Sequence, residues 1–212
     1  MKLSKLLFIP LIGLFMGGCD MIDYHPYDVR ISGPTDINNR NIAKIEANCK
    51  DKTTIRFVTM GDSQRWYDET QDFVNHLNKR DDIDFVIHGG DFSDFGVTDE
   101  FLWQRDIMNK LKVPYVGLIG NHDCLGTGEE TYRAIFGDPN FSFIAGRIKF
   151  VCLNTNALEF DYSRPIPDFD FINAQLEDRR EEYDRTIFSM HIRPFCFCLL
   201  YTSDAADEED SV

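Results

Sequence analysis

The stretch Ile87-His88-Gly89-Gly90-Asp91-Phe92-Ser93-Asp94 decides the fold, because an apolar run ends there in two glycines and an aspartate. Residues 85–87 predict a buried strand, and glycines after a strand let the backbone turn without obstruction from side chains. An aspartate at this point faces the crevice beyond the carboxyl end of a sheet, where open α/β folds place their functional sites. The stretch therefore predicts a strand that delivers Asp91 to such a site.

Three other apolar runs end in polar residues of the same kind. The residues at their ends are Gly61-Asp62-Ser63-Gln64, Gly120-Asn121-His122-Asp123 and, after residues 186–190, His191. One such residue alone is more typical of a turn, a helix cap or a core histidine. Their joint occurrence after strands favours a common site. Carboxylate, amide and imidazole groups are ligands for hard or borderline divalent metals, so the sequence predicts a metal centre.

The order of the elements predicts the fold class. Three strands alternate with helices up to residue 122, and then residues 141–145 and 148–153 predict a hairpin with its turn at Gly146-Arg147. A further helix and the strand before His191 follow. This order predicts an α/β fold, an αββα sandwich of two mixed β-sheets flanked by helices.

The predicted helices carry apolar side chains at helical spacing. Asp36 is expected to cap a short helix before the first strand. A second helix is expected to start near Asp68 and a third after Thr98. The helix that precedes the last strand is expected to include Tyr183.

Composition limits the classes of partner. The chain has 212 residues, enough for one domain, and a formal net charge of −14, which argues against binding to a nucleic-acid backbone. Bound metal cations would still permit a phosphorylated substrate. The cysteines show no paired metal-binding spacing, and Cys49, Cys124 and Cys152 are expected to be small buried hydrophobes, with a free or paired thiol as the alternative.

The amino terminus has the pattern of a secretory signal. A cationic start and an apolar run over residues 6–16 precede Gly17-Gly18-Cys19, which resembles a bacterial lipoprotein signal that is cut before Cys19. The alternative is a transmembrane anchor, but the apolar run is shorter than the roughly 20 residues that a span needs. We therefore expect an exported protein, anchored to the bacterial cell envelope by lipid on Cys19, on the periplasmic or cell-surface side.

The four strand-end blocks together resemble those of the calcineurin-like metallophosphoesterases. The matching residues are Gly61-Asp62-x-Gln64, Gly90-Asp91-x-x-Asp94, Gly120-Asn121-His122-Asp123 and His191, within about residues 54–195. In that family two divalent metals, about 3.5–4 Å apart, share a bridging carboxylate and a hydroxide. The resemblance implies hydrolysis of a small-molecule phosphomonoester or phosphodiester with two ions of Mn, Fe or Zn.

The resemblance also implies a role for each metal ligand. Asp62 and Gln64 would bind the first metal, and Asp91 would bridge both metals. Asn121 and His191 would bind the second metal.

Two further residues of the blocks would act on the substrate rather than on the metals. His122 would protonate the leaving oxygen. Asp94 would orient His122, with capping of the next segment as the alternative. Asp123 has no assigned role.

Three departures from the family pattern leave a second function open. Gln64 stands where many members carry histidine, and Phe95 stands where the protein-phosphatase branch carries a phosphate-binding arginine. The family's final Gly-His-x-His block is absent, since no histidine follows His191. The alternative is therefore a non-catalytic surface lipoprotein of the same fold that binds a ligand or an envelope partner.

The carboxyl terminus is expected to be foreign. Residues 198–212 resemble the translation of a transposase adaptor from sequencing libraries, and a natural acidic tail is the alternative. In the first case the fold lacks its C-terminal part and the activity of this chain is impaired. The predicted organisation is a lipoprotein signal peptide over residues 1–18, a tether and short helix over 19–52, an incomplete metallophosphoesterase domain over 53–197 and a non-native tail over 198–212.

Some residues close to the blocks have simpler expected roles. Trp66 and Tyr67 are expected to pack over the sheet edge, with stacking on a substrate ring as the alternative. Arg65 is expected to be a surface residue, although it could reach a phosphate. His88 is expected to be structural.

Overall fold

Strands and helices alternate as predicted in the computed structural model, which describes residues 25–160 and 165–193, apart from the side chains of residues 159 and 160. The strands in these ranges are β1 (Phe57–Met60), β2 (Phe85–His88), β3 (Tyr115–Gly117), β4 (Phe141–Ala145), β5 (Ile148–Leu153) and β6 (Arg185–Met190). The helices are α1 (Ile37–Cys49), α2 (Tyr67–Leu77), α3 (Thr98–Met108), α4 (Gly128–Phe136), α5 (Ala157–Phe160) and α6 (Phe169–Glu177), with short 3₁₀ helices at His122–Cys124 and Arg180–Glu182.

The strand that leads to Asp91 is the middle strand of a parallel sheet. The order of this sheet is β1-β2-β3, with Phe57 opposite Phe85 and Val86 opposite Tyr115. Parallel strands need long crossover connections, and α2 and α3 supply them. Every residue of β2 is buried, as expected for a strand that is covered on both faces. The carboxyl ends of all three strands therefore meet at one edge.

The second sheet has the order β4-β5-β6. Strands β4 and β5 form the predicted hairpin, with Gly146 in the left-handed region at a φ of 59°. Strand β6 pairs in parallel with β5, so this sheet is mixed. The first sheet contains only parallel strands in the residues that the structure describes.

Alternating side chains of β2 define the layers. Val86 packs in a cluster with residues of α2, α3 and α4, whereas Phe85 and Ile87 pack in a second cluster with residues of β4 and β5. A third cluster joins the outer face of β5 to Ile172 of α6. The two sheets thus lie between two helical layers, which confirms the predicted αββα sandwich.

Aromatic rings fill the space between the two sheets. The ring of Phe85 stacks on that of Phe57, with 5.4 Å between the ring centroids. The same ring meets Phe143 and Phe150 edge-on, at centroid distances of 5.6 and 5.4 Å. Edge-to-face and offset contacts of this kind are the favoured aromatic arrangements, and they fix β2 against the hairpin.

Helix α1 closes one side of the parallel sheet by side-chain hydrogen bonds. The Asn38 side chain donates to the carbonyl of Gly117 and accepts from its N–H, at 2.9 and 2.8 Å. The amide of Asn41 donates to the carbonyl of Tyr115 at 2.8 Å. These bonds occupy backbone groups of β3 that would otherwise be an open sheet edge.

Two predicted details of the helices are wrong. Asp36 precedes α1, but its backbone is left-handed, with a φ of 54°, and its carboxylate accepts from the Asn39 side chain instead of a backbone N–H. A helix-capping side chain needs an extended backbone at that position. Tyr183 is not part of α6, which ends at Glu177, and its buried hydroxyl donates to the carbonyl of Leu176.

The predicted burial of the cysteines holds for Cys49 and Cys152, whereas Cys124 is half-buried. In the described residues, none of the helices combines the length and apolar character needed to cross a bilayer. The predicted signal peptide, Cys19 and the predicted tail lie outside the described residues.

Candidate metal centre

The loops after β1 and β2 are joined backbone to backbone. The N–H of Asp62 donates to the carbonyl of Gly90 at 3.0 Å, and the N–H of Gln64 donates to the carbonyl of Asp91 at 2.9 Å. Asp62, Gln64 and Asp91 have φ angles of 53°, 29° and 59°, in the region that favours glycine. Such strain persists only where surrounding contacts fix it, and it is concentrated at functional sites.

The glycines of the strand-end blocks allow the loops to touch. A Cβ at Gly120 would lie 2.0 Å from Oδ1 of Asp91, and a Cβ at Gly90 would lie 2.7 Å from the backbone nitrogen of Gly120. Gly90 also has a φ of 109°. Only residues without a side chain fit at these two positions, which explains why glycines precede Asp91 and Asn121.

The structure brings the predicted metal ligands together. Single ligand atoms of Asp62, Asp91 and His191 all lie within 4.8 Å of one another. Oδ1 of Asn121 lies 2.9 Å from Nε2 of His191. The side chain of Gln64 contacts the same carboxylate of Asp91. Four separate strand ends therefore contribute to one cluster of oxygen and nitrogen donors.

His191 is oriented as a metal ligand would be. Its Nδ1 donates to the backbone carbonyl of Gly89 at 2.9 Å, which fixes the ring. The other ring nitrogen, Nε2, points at Asn121 and lies 3.5 Å from Oδ2 of Asp91. A backbone carbonyl on the outer nitrogen of a histidine is the usual second-shell arrangement of metal-binding imidazoles.

Asp91 lies at the centre of the cluster and is only 2% exposed. Its Oδ1 accepts from the backbone N–H of His122 at 3.0 Å, and its Oδ2 accepts from the Gln64 amide at 3.2 Å. Burial raises the pKa of this carboxyl group, and the nearby His191 and His122 partly offset that effect. A buried carboxylate needs compensating positive charge, so the donor set fits divalent cations.

His122 lies beside the cluster with its ring 38% exposed. Its Nδ1 donates to the backbone carbonyl of Asp94 at 2.8 Å. The carboxylate of Asp94 lies 3.7 Å away and forms a 2.7 Å ion pair with Arg65. The hydrogen bond to the Asp94 carbonyl raises the pKa of His122, and the carboxylates of Asp91, Asp94 and Asp123 act in the same direction. Asp94 thus contacts His122 mainly through its backbone.

The sequence model of the calcineurin-like phosphoesterase family (Metallophos) matches residues 55–209. The chain belongs to this family. Among solved structures, the purple acid phosphatase PPD1 isolated from yellow lupin (Lupinus luteus) seeds is similar, with 20% sequence identity and a TM-score of 0.49. That match covers 66% of this chain and 30% of the lupin chain. No curated protein sequence matches significantly.

The match confirms the resemblance that the strand-end blocks predict. It runs to residue 209, whereas the predicted domain ends at residue 197. The domain boundaries and the foreign origin of residues 198–212 stay predictions.

Gln64 differs from its expected contact in one respect. The amide oxygen of Gln64 is predicted to bind a metal, whereas in the structure the amide nitrogen of Gln64 faces Asp91. Half a turn about the last side-chain bond would exchange the two atoms, so the position is compatible with both uses.

Asp123 has no role in the sequence prediction, but the structure shows that it contributes strongly to the site. This carboxylate is fully buried and accepts hydrogen bonds from the backbone N–H groups of Asp91, Gly120 and Ser93, at 2.8, 3.0 and 2.8 Å. The Ser93 hydroxyl donates to it as well, at 3.0 Å. Burial raises the pKa of Asp123 to about 6, against the lowering effect of the backbone donors. Asp123 therefore clamps the loops that carry Asp91 and Asn121.

Gln104 of α3 is a second contributor that sequence reasoning did not identify. Its buried amide nitrogen donates to the carbonyls of Ser63 and Gln64, at 3.0 and 2.7 Å. It holds the loop after β1 in place. A glutamine on a helix carries no sequence signal of such a distant contact.

His88, Tyr67 and Trp66 differ in how well they match their expected roles. His88 is buried, its Nε2 lies 2.8 Å from the hydroxyl of Ser63, and its ring stacks on Phe92, which agrees with a structural role. Tyr67 packs edge-on against Trp103, with 5.6 Å between the ring centroids. Trp66, in contrast, is 54% exposed.

The substitution Gly120→Ala should abolish metal binding, because the new methyl group overlaps the Asp91 carboxylate. Gly61→Ala is the matched control, since its Cβ would have no neighbour closer than 3.5 Å. Calorimetric titration of the full-length protein with Mn²⁺ measures both. Tight binding by the Gly120→Ala variant would contradict this account of the site.

The substitution Asp123→Asn should weaken metal binding by roughly tenfold or more, although Asp123 is not a ligand. An amide replaces one acceptor oxygen by a donor, so backbone N–H groups lose their partner, at a cost of about 1–3 kcal/mol in unfolding free energy. Urea unfolding and Mn²⁺ titration measure these effects, with the exposed Asp72→Asn as control. Wild-type affinity in Asp123→Asn would refute the clamp.

Proposed function

We propose that the protein hydrolyses small-molecule phosphomonoesters or phosphodiesters with two bound divalent ions. The convergence of Asp62, Asp91 and His191 within 4.8 Å, beside the ring of His122, is the observation that carries this proposal. Membership of the calcineurin-like phosphoesterase family supports a metal-dependent phosphoesterase as the general class.

The cluster offers ligands for both ions. In the proposal, Asp62 and Gln64 would hold one ion, Asp91 would be shared by both, and Asn121 and His191 would hold the other. Bound ions would neutralise the charge of the phosphate and lower the pKa of a coordinated water. Two carboxylates do not cancel two divalent cations, so the occupied site would attract an anionic substrate. The proposed ions are Mn, Fe or Zn, and elemental analysis of the protein identifies which of them is bound.

His122 is proposed as the proton donor. Its Nδ1 is engaged with the Asp94 carbonyl, so Nε2 is the nitrogen that can carry a proton to a substrate. A raised pKa keeps the ring protonated closer to neutral pH. In the overall reaction, water supplies the new oxygen on phosphorus, the bond from phosphorus to the ester oxygen breaks, and the departing alkoxide takes the His122 proton. The proton released by water restores the imidazolium.

A direct test is hydrolysis of a chromogenic phosphate ester by the full-length protein with Mn²⁺. Asp91→Asn should abolish turnover, because the ions lose their shared carboxylate. His122→Ala should lower kcat by roughly 10²–10⁴-fold with Mn²⁺ binding retained. The exposed His76→Ala on α2 serves as control. Turnover that survives Asp91→Asn or a chelator would overturn the proposal.

A non-catalytic surface lipoprotein is the second candidate function. The observation that favours it is the identity of Gln64, an amide at a position where many family members carry histidine. Elemental analysis separates the two candidates. Fewer than one metal ion per full-length chain, together with no turnover, would favour the lipoprotein.

We further propose that the mature protein is exported and held at the bacterial cell envelope by lipid on Cys19. The cationic start, the apolar run and Gly17-Gly18-Cys19 support this location. Cells that produce the protein should incorporate labelled palmitate into it, and Cys19→Ser should abolish the label and release the protein from membranes. Labelling of the Cys19→Ser variant would refute the anchor.

A further inference from the structure

Several large apolar side chains are exposed to solvent. In the described part of the chain, the large hydrophobic side chains with substantial exposure are Tyr27, Trp66, Phe95, Trp103, Leu125, Phe169 and Phe188. Phe169 lies on α6 and Phe188 on β6. Trp66, Phe95 and Leu125 lie on segments that contact the loops of the metal centre, and we call these three residues the rim.

One side of this rim is formed by the segments around Phe95 and Leu125. The N–H of Leu125 donates to the carbonyl of His122 at 3.2 Å, so Leu125 closes the short 3₁₀ helix that begins at the proposed proton donor. A Cβ at Gly96 would lie 1.9 Å from the carbonyl oxygen of Leu125. Phe95 is therefore adjacent to a backbone contact with the His122 segment, while its own side chain is 58% exposed.

The other side of the rim is formed by Trp66. The 2.7 Å ion pair between Arg65 and Asp94 joins the loop after β1 to the loop after β2. Trp66 and Phe95 are the next residues along the chain from the two partners of this pair, and Trp66 is 54% exposed. Trp66 and Phe95 are thus the chain neighbours of an ion pair, and one partner of that pair, Asp94, lies 3.7 Å from Nδ1 of His122.

The backbone at both aromatic residues is fixed, although the side chains are open to solvent. The N–H of Trp66 donates to the carbonyl of Ser63 at 2.7 Å, and its carbonyl accepts from the hydroxyl of Thr70 at 2.7 Å. The N–H of Phe95 donates to the carboxylate of Glu100 at 3.0 Å. Because the backbone at these residues is already fixed, less conformational entropy is lost when a ligand binds to the exposed rings.

Exposed apolar residues that are scattered singly need no explanation, but a group of them marks a binding surface. The position beside His122 selects the ligand. His122 protonates the ester oxygen, so the organic group attached to that oxygen must lie on the same side of the phosphate as the imidazole. Asp94, which precedes Phe95 and pairs with the residue before Trp66, contacts the His122 ring directly.

We propose that Trp66 and Phe95 determine substrate specificity by holding the organic part of the phosphate ester, and that this part carries a flat aromatic ring. The inference rests on the proposed phosphoesterase function. It assigns to Trp66 the ring-stacking role that the sequence leaves as an alternative.

The test compares benzyl phosphate with ethyl phosphate, two monoesters of primary alcohols that differ in the ring. Trp66→Ala and Phe95→Ala should each lower kcat/KM for benzyl phosphate by about five- to tenfold and should change kcat/KM for ethyl phosphate less than about twofold. Trp66→Phe and Phe95→Tyr should restore most of the benzyl activity. Phe169→Ala, which removes a 61% exposed ring on α6, is the matched control.

Equal losses of kcat/KM on both esters would indicate a structural role and overturn the inference. Unchanged kinetics on both esters would overturn it too, and would instead suit a protein partner for the rim. Absence of turnover of any phosphate ester by the wild-type protein is a failure of the proposed function instead.

Binding of benzylphosphonate, which cannot be hydrolysed, tests the rim in that case as well. The chain has two tryptophans, so Trp103→Phe leaves Trp66 as the only tryptophan emitter. Quenching by benzylphosphonate but not by ethylphosphonate is expected in this variant, and equal responses to both would refute the inference.

Discussion

The buried carboxylate of Asp91 is the constraint on which the rest of the structure depends. An anion with 2% exposure is unfavourable unless donors and cations surround it. One oxygen receives the backbone N–H of His122, and the other faces Gln64 and His191. The Oδ1 atom is satisfied by the protein backbone, whereas Oδ2 faces the cluster of predicted metal ligands. This asymmetry makes the position suitable for a shared ligand.

The two-sheet architecture explains how residues far apart in sequence reach Asp91. Parallel strands in the first sheet end at a common edge, and β6 of the second sheet is parallel to β5 and ends at His191 on the same side. The Phe85 cluster holds the two sheets at a fixed separation. The contact between His191 and the carbonyl of Gly89 is therefore a contact across the sandwich, and it depends on the aromatic interior.

The sequence predicted which residues gather at the site, because each follows a strand, and strand ends carry a local signal of apolar run, glycine and polar residue. Asp62, Asp91, Asn121 and His191 were found in this way. Asp123 and Gln104 were not assigned, because their partners are backbone groups of other loops and become visible only when the loops are assembled. The cap assigned to Asp36 failed for a related reason, since the residue adopts a left-handed backbone that its local sequence does not indicate.

The side-chain bonds from α1 to β3 have a consequence for assembly. Asn38 and Asn41 imitate a neighbouring strand, so the β3 margin offers few unsatisfied amides or carbonyls to an incoming chain. Within the described residues, the opposite margin, along β1, pairs only with β2. Among the described residues, an extension of this sheet by another polypeptide would therefore have to occur along β1.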